Sequence, residues 1–286
     1  MRLCTMLAAA AVLSTAARAE AWGLDVHRYI MQRAIALLPA AIQPLYRQQQ
    51  AFIVEHSVDP DLWRTAGFTE EGPRHFVDLD AYGPYPFAAL PREFDAAVAK
   101  FGSSMVAKNG LLPWRTADMV DRLTNAFRQC KAGGRPYALD DVQFFSAVVS
   151  HYVADGHVPF HATLNYDGQF TGQKGIHARF ETDLFERYRE RLTIQPSAAP
   201  VVTDVRSFMF DRLLQSFRLV APILDADRAA LRLAGEYDDR YFDELRRRTQ
   251  PILEQRLSDA IAAVASVIAG AWTAGGQPGL TPVTGR

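Results

Sequence analysis

The chain contains few cysteines and carries almost no net charge. Its 286 residues include two cysteines, 31 basic and 32 acidic side chains, which gives a formal net charge of −1. Cys4 lies in a leader-like segment, so Cys130 would have no intrachain partner, and disulfides are excluded as a source of stability. The balanced charge excludes a general attraction to nucleic acid or anionic membranes. We therefore expect no stable nucleic-acid complex.

Continuous apolar runs long enough to span a membrane are also lacking. The first 21 residues combine a basic residue near the start, Arg2, with a short apolar stretch and with small residues at Ala17, Ala19 and Ala21, which is the pattern of a secretory signal peptide. Cleavage after Ala21 would leave Trp22 as the first residue, and cleavage after Ala19 is the alternative. The sequence predicts a signal peptide over residues 1–21, a periplasmic or secreted protein, and no transmembrane segment.

Helical periodicity dominates the rest of the chain, and no stretch alternates convincingly with the period of a strand. Apolar spacing predicts helices over residues 26–38, 94–106, 117–130, 140–156, 176–191, 205–219 and 238–272, the last with a bend at Pro251. Pieces rich in glycine and proline predict loops over residues 67–91, 133–136 and 165–175. We expect an all-α fold, with a single multi-helical domain over residues 22–275 and a flexible tail over residues 276–286.

Histidines are few, but they are concentrated. Four of the seven lie within residues 151–181, where His151 and Asp155 are four residues apart, as are His177 and Glu181. On a helix, residues at this spacing share one face and can bind one metal ion. A single such pair is more often an exposed ion pair, but two pairs flanking His161 indicate a metal site. Imidazole and carboxylate ligands suit zinc or another borderline divalent ion.

Further metal ligands would have to come from upstream. Each candidate, taken singly, is more often an ordinary loop or core residue; the candidates are His27, His56, Asp59, Asp61, His75, Asp78 and Asp80. The residues alone leave this choice open.

Several motifs occur together in a fixed order. They are Trp22-Gly-x3-His27, Asp61-x2-Arg64, His75-Phe76-x-Asp78, His151-x3-Asp155-x3-Pro159-x-His161 and His177-x3-Glu181. Together they resemble the trinuclear zinc phosphodiesterases, which comprise bacterial zinc-dependent phospholipase C and the single-strand-specific nucleases of fungi and plants. The resemblance covers residues 22–188 and extends to the terminal helix.

The resemblance implies an all-helical domain built around three zinc ions. It implies a first ion held by Asp61, His75, His151 and Asp155. It implies a second ion held by His27, by Asp155 again, and by the α-amine and carbonyl oxygen of Trp22. It implies a third ion held by His161, His177 and Glu181. Asp59 competes with Asp61 for the first ion, and Asp61 is preferred because its distance to His75 and the following Arg64 fit the family better. His56 remains a structural residue.

The implied reaction is hydrolysis of a phosphodiester by a zinc-activated water, which Asp61 orients or deprotonates. The preferred substrate is a phospholipid, because the last ligand is Glu181 rather than aspartate and the gap from His161 to His177 is short. The alternative is a single-strand-specific nuclease acting on DNA or RNA, with 3′-nucleotidase activity as an option. The spacing from Trp22 to His27 and the Asp61-x2-Arg64 motif favour the nucleases.

Substrate contacts are expected from Phe76 and Asp78, which in the nucleases can stack on and hydrogen-bond a base. Leu62 and Gly72 occupy places where a phosphatidylcholine enzyme would carry aromatic residues, so the sequence does not predict an aromatic cage for a quaternary ammonium group. A third class, a non-catalytic scaffold held together by zinc, is disfavoured because structural zinc sites are closed and mostly rich in cysteine. The sequence gives neither the head group, nor the base preference, nor the oligomeric state.

Overall fold

The regular structure of the part of the chain that the computed structural model describes, residues 23–130, 134–135, 137–198 and 200–280, consists of helices without strands. The α-helices are α1 (Leu24–Ile35), α2 (Gln43–Gln48), α3 (Gln50–Glu55), α4 (Asp59–Thr65), α5 (Phe94–Phe101), α6 (Ser103–Lys108), α7 (Leu112–Gln129), α8 (Ala138–Asp155), α9 (Ile176–Ala178), α10 (Leu184–Tyr188), α11 (Val205–Ala234) and α12 (Asp239–Ala274). The all-α prediction is confirmed.

Helix α8 lies at the centre of the helical packing. It contacts α7, α12, α1 and α3, and most of its apolar residues are buried, with Val142, Val148, Val149 and Tyr152 fully so. A helix surrounded on all sides is apolar around most of its circumference. Polar residues on such a helix therefore project into the core, where they need partners.

Helix α12 is long and apolar enough, by length and composition alone, to cross a membrane. However, 78% of its apolar window is buried inside the protein. The run from Ala260 to Ala271 packs against α1, α7, α8 and α11. This helix therefore has the burial expected of a core helix.

Short irregular helices lie between the longer ones. They comprise 3₁₀ segments at His56–Val58, Thr69–His75, Leu79–Tyr82, Pro159–Ala162 and Arg189–Arg191, and a π-helical turn at Arg179–Asp183. The π turn joins α9 directly to α10, so residues 176–188 form one helical segment. Single π turns inside helices occur frequently at functional sites.

Several predicted helix boundaries were wrong. The predicted helix 94–106 is broken at Gly102, whose φ of +83° ends α5. Helix α11 extends to Ala234, beyond the predicted residue 219, and contains Pro222. Helix α12 continues through Pro251. Both long helices bury residues on either side of the proline, which offsets the loss of one backbone hydrogen bond.

The two ends of the chain lie partly outside the described residues. At the start of the chain, the predicted signal peptide and Trp22 lie outside the described residues. At the end, residues 281–286, which make up most of the predicted tail, lie outside them as well. Leu280 is buried, and the indole nitrogen of Trp272 donates a hydrogen bond to the carbonyl of Pro278 at 3.1 Å. Cys130 is a free cysteine. The span of the domain, residues 22–275, remains a prediction.

Candidate metal centre

The last turn of α8 carries two buried polar residues. His151 and Asp155 are both fully buried. The Nδ1 of His151 lies 2.9 Å from the carbonyl oxygen of Ser57. Because a carbonyl can only accept, Nδ1 carries the proton and Nε2 presents a lone pair. Nε2 lies 3.4 Å from Oδ2 of Asp155, so the unprotonated nitrogen and the carboxylate face the same space.

The first group of candidate ligands is formed by Asp61, His75 and His151. Their ligand atoms all lie within 4.8 Å of one another, and all three side chains are buried. Asp61 comes from the first turn of α4, and His75 ends the 3₁₀ segment at Thr69–His75. Arg64, one turn after Asp61, contacts Oδ1 of this carboxylate through Nη2 at 3.1 Å. The aspartate is thus held at the site by a charged neighbour.

The structure distinguishes Asp59 from Asp61, the two alternative candidates for this group. Asp59 pairs with His56, whose Nδ1 lies 2.7 Å from Oδ2 of Asp59, at a partly exposed position. Asp61 is 1% exposed and lies with the histidines. Asp61, which the family resemblance also favours, is therefore the aspartate that lies where it could bind a metal ion.

A second group consists of His27, His151 and Asp155. His27 lies in the first turns of α1, and its Nε2 is 3.5 Å from Oδ1 of Asp155. The rings of His27 and His151 stack with their centroids 3.9 Å apart. His151 thus borders both groups, although the resemblance assigned it to the first ion alone. Trp22, the remaining ligand predicted for this group, lies outside the described residues.

Asp155 stands between the groups. Its Oδ1 lies 3.5 Å from Nε2 of His27 and 3.7 Å from Nδ1 of His161. Its Oδ2 lies 3.0 Å from Nδ1 of His75 and 3.4 Å from Nε2 of His151. The two oxygens therefore face different sets of imidazoles, which is the arrangement that a bridging carboxylate requires.

A third group combines His161, His177 and Glu181. His161 follows Pro159 in a 3₁₀ segment, His177 lies in α9, and Glu181 lies in the π turn. Nε2 of His177 is 2.8 Å from Oε2 of Glu181, and the rings of His161 and His177 have their centroids 5.2 Å apart. The i, i+4 pair identified in the sequence thus shares one face, as expected for a helix.

Burial controls the protonation of the site. Desolvation, reinforced by the neighbouring histidines, holds the pKa of His27, His75 and His161 well below the usual histidine value. Desolvation lowers the pKa of His151 to about 3. Desolvation, followed by the charge of other carboxylates, raises the pKa of Asp155 well above its usual range. The histidines are therefore neutral, and the carboxylate needs a cation to ionise.

Several ligand atoms at the site lack the partner that a buried polar atom needs. Among the described residues, neither ring nitrogen of His27 makes a hydrogen bond, and the same holds for Nδ1 of His161 and Oδ1 of Asp155. Native proteins rarely leave such atoms unsatisfied. Neutral imidazoles with free lone pairs beside carboxylates match the ligand set that zinc prefers. The residues present therefore fit zinc.

Comparison with known families shows which family the chain belongs to. The family model of zinc dependent phospholipase C matches residues 26–221. The chain belongs to this family. The match contains every described candidate ligand, and it ends inside α11. Members of the zinc dependent phospholipase C family are zinc hydrolases of the phospholipase C type, so the resemblance seen in the motifs is confirmed. No protein with a curated description matches the chain.

In this member of the zinc dependent phospholipase C family, a buried carboxylate that was not predicted from the sequence lies behind His75. Glu71 is 2% exposed, and its Oε1 lies 3.8 Å from Nε2 of His75. Its Oε2 accepts from Arg74 at 2.6 Å, and its Oε1 accepts a hydrogen bond from the hydroxyl of Tyr152. Carboxylates behind metal-binding histidines orient the ring. The spacing of four residues between Glu71 and His75 was the available signal.

The predicted substrate residues lie just after His75. Phe76 is partly buried, and Asp78 is 7% exposed with its Oδ1 lacking a hydrogen bond among the described residues. Burial, and then the nearby Asp80, raise the pKa of Asp78 to about 7. The remaining histidine, His157, is fully buried and donates from Nδ1 to the carbonyl of Val153 at 2.8 Å. It belongs to none of the three groups.

Proposed function

We propose that this chain hydrolyses the phosphodiester of a phospholipid at a centre of three zinc ions. The observation that carries the proposal is the set of three buried histidine–carboxylate groups arranged around Asp155. Family membership supports the lipid substrate and the dependence on zinc. Phospholipase C-type cleavage breaks the bond between the glycerol oxygen and phosphorus, so water adds to phosphorus and the glycerol oxygen takes up a proton.

In this proposal each group would hold one ion. Asp61, His75, His151 and Asp155 would hold the first, and His27, Asp155 and the amine and carbonyl of Trp22 would hold the second. His161, His177 and Glu181 would hold the third. The division of the Asp155 oxygens between different imidazoles supports its role as a bridge.

Bound zinc would supply Lewis-acid chemistry, which eases deprotonation of a water and offsets charge on the phosphate oxygens. Asp61 accepts the proton of the attacking water, and Arg64 keeps its carboxylate oriented through the 3.1 Å contact. His27, His75, His151 and His161 are neutral near pH 7 because burial lowers their pKa values. They therefore serve as ligands and not as proton donors to the leaving group.

Phe76 and Asp78 are proposed to contact the substrate. They follow His75 directly, and the unpaired Oδ1 of Asp78 is an acceptor. A buried acceptor that has no hydrogen bond among the described residues favours a group that donates one. A phospholipid head group with an amine or hydroxyl offers such a donor, whereas a quaternary ammonium group does not.

We also propose export of the protein. The signal peptide over residues 1–21 would be removed, and the mature chain would begin at Trp22 with the domain over residues 22–275. Gly23, the residue after Trp22, donates from its backbone nitrogen to the hydroxyl of Thr182 at 3.2 Å. Thr182 follows Glu181, so the residue next to the proposed terminus lies beside the third group of candidate ligands.

The deciding experiment compares substrates with one preparation. Purified protein that begins at Trp22 is incubated with phosphatidylethanolamine, phosphatidylcholine, single-stranded DNA, RNA and bis-p-nitrophenyl phosphate. We expect hydrolysis of phospholipid and, by elemental analysis, close to three bound zinc ions per chain. EDTA should abolish the activity and lower the melting temperature. Hydrolysis of nucleic acid alone would make the chain a nuclease. One zinc ion or fewer in active protein would refute the three-ion centre.

A further inference from the structure

Arg179 lies between two candidate ligands of the third group but points away from them. His177 and Glu181 are two residues before and after it, so a helical path places its side chain on roughly the opposite face. The residue is 8% exposed. A buried guanidinium must have partners, and those of Arg179 come from α11, α12 and the loop before α9.

The partners of Arg179 form a closed network. Its Nη2 and Nε contact Oδ1 of Asp227 at 3.0 and 3.3 Å, and Nε donates to the hydroxyl of Tyr241 at 2.9 Å. The same tyrosine hydroxyl donates to Oδ1 of Asp227. Asp227 and Tyr241 are fully buried. Charge-assisted hydrogen bonds of this kind fix geometry more strongly than neutral ones.

The network also fixes the loop that leads to His177. Nη1 of Arg179 donates to the carbonyl of Lys174 at 2.9 Å, and Nη2 donates to that of Gln173 at 3.1 Å. The side chain of Gln173 donates to Oδ2 of Asp227 at 2.6 Å. Gly175 has a φ of +89°, and a Cβ there would lie 2.7 Å from Nη1 of Arg179. The entrance to α9 is thus built against this guanidinium.

A buried ion pair is weak evidence for a stabilising role, because removing two charges from water costs much of what their attraction returns. The location of this network indicates a different use. It joins the residues on both sides of His177 and the π turn that carries Glu181 to two long helices of the core.

We propose that Arg179, Asp227 and Tyr241 are positioning residues that set the affinity of the group formed by His161, His177 and Glu181 for its metal ion. This inference rests on the proposed three-zinc function. Supporting groups of metal ligands typically contribute roughly 10- to 100-fold in affinity. We expect the effect to be confined to one ion, because Arg179 lies in the segment that carries His177 and Glu181, whereas none of these hydrogen bonds reaches Asp155 or the ligands grouped with it.

The test measures zinc retention in the processed protein, which begins at Trp22. Tyr241→Phe removes one hydroxyl, and Asp227→Asn removes the charge but keeps the shape. Zinc-loaded variants are titrated with chelators of graded strength, and bound zinc is counted. We expect one ion to be released roughly 10- to 100-fold more readily while the other two are retained. Circular dichroism checks that each variant is folded.

Two controls separate positioning from general stability. Tyr46→Phe deletes another buried tyrosine hydroxyl, which lies 2.6 Å from the hydroxyl of Ser146, and should leave all three ions unaffected. His177→Ala should lose one ion, and adding Asp227→Asn to it should loosen no further ion. If Tyr241→Phe and Asp227→Asn retain zinc as Tyr46→Phe does, the inference is wrong although the three-zinc function stands. A wild-type protein with fewer than three ions refutes both.

Discussion

At the residue scale, the centre depends on side chains that are costly to bury without a cation. Asp155 is fully buried, and desolvation raises its pKa well above the usual range. Four imidazoles surround it within 3.7 Å. A carboxylate in such a place is either protonated or neutralised by positive charge. Two ions sharing this carboxylate would satisfy both of its oxygens.

We expect Asp155→Asn to reduce hydrolysis by more than about 100-fold, because losing a ligand should exceed the loss of a supporting group. Asp59→Asn should remain close to the wild-type rate, since Asp59 pairs with His56 at a partly exposed position. Initial rates on a short-chain phospholipid, with bound zinc counted in the same samples, make the comparison. Equal loss in Asp59→Asn, together with an active Asp61→Asn variant, would show that the wrong aspartate has been assigned.

Asp78 predicts a pH dependence of stability. Its pKa is about 7 in the folded protein because of burial and the nearby Asp80, against roughly 3.9 in an unfolded chain. Between these values the folded state binds more protons than the unfolded state, so this residue makes the free energy of unfolding fall as the pH rises from about 4 to about 7. Above the folded pKa its contribution levels off.

Asp78→Asn removes this titration. Urea unfolding of the wild type and of Asp78→Asn at several pH values, with zinc in constant excess, should show a stability difference that grows in favour of the variant as the pH rises toward 7. Subtracting the two curves cancels the pH dependence of zinc binding. A constant difference across this range would show that Asp78 titrates normally in the folded protein.

At the element scale, the sequence predicted the helices with regular apolar spacing and failed elsewhere for identifiable reasons. Helix α8 was predicted within two residues at its start and one at its end, because its burial leaves an apolar pattern. The short helices α2, α3 and α4 carry too few turns for periodicity. The π turn at Arg179–Asp183 has no sequence signal separate from an α-helix. Glu71 escaped notice because its role depends on the tertiary approach of Tyr152.

Helix α12 is packed closely against the segment that precedes α11. A Cβ at Gly270 would lie 2.0 Å from the carbonyl oxygen of Val202, whose backbone nitrogen bonds to the carbonyl of Ser266 at 3.3 Å. Gly270→Ala should therefore reduce the free energy of unfolding by about 1–3 kcal/mol, the usual range for overpacking. Gly279→Ala, where nothing lies within 4 Å, is the matched control. Urea unfolding showing equal stability for both variants would contradict this packing.

At the scale of the whole molecule, the candidate ligands come from distant parts of the chain. His27 lies in α1, His75 follows α4, and Glu181 lies more than a hundred residues further on. Bringing them together costs chain entropy, which metal binding can offset because the ion binds the folded arrangement only. The two histidine–carboxylate pairs and His161, all within residues 151–181, could be predicted from their spacing. The upstream ligands required the family resemblance, because no local pattern connects them to α8.

The start of the mature chain gives the last prediction. If Trp22 binds zinc through its amine and carbonyl, any preceding residue turns that amine into an amide nitrogen, which is not basic enough to compete for the metal at neutral pH. Protein that retains Glu20 and Ala21 should therefore lose one zinc ion and most of its activity. It should still fold, because the other two groups use side chains alone.

N-terminal sequencing, zinc content, circular dichroism and activity are measured on processed and extended protein in parallel. The position of Gly23 supports the expected effect. Its backbone nitrogen donates a hydrogen bond to Thr182, next to Glu181, and Gly23 is the residue that directly follows Trp22 in the sequence. Helix α1 begins at Leu24 and places His27 beside Asp155. An altered terminus should therefore weaken the binding of the ion that His27 and Asp155 would hold. Full activity with three zinc ions in the extended protein would eliminate the terminal amine as a ligand and leave His27 and Asp155 to hold that ion without it.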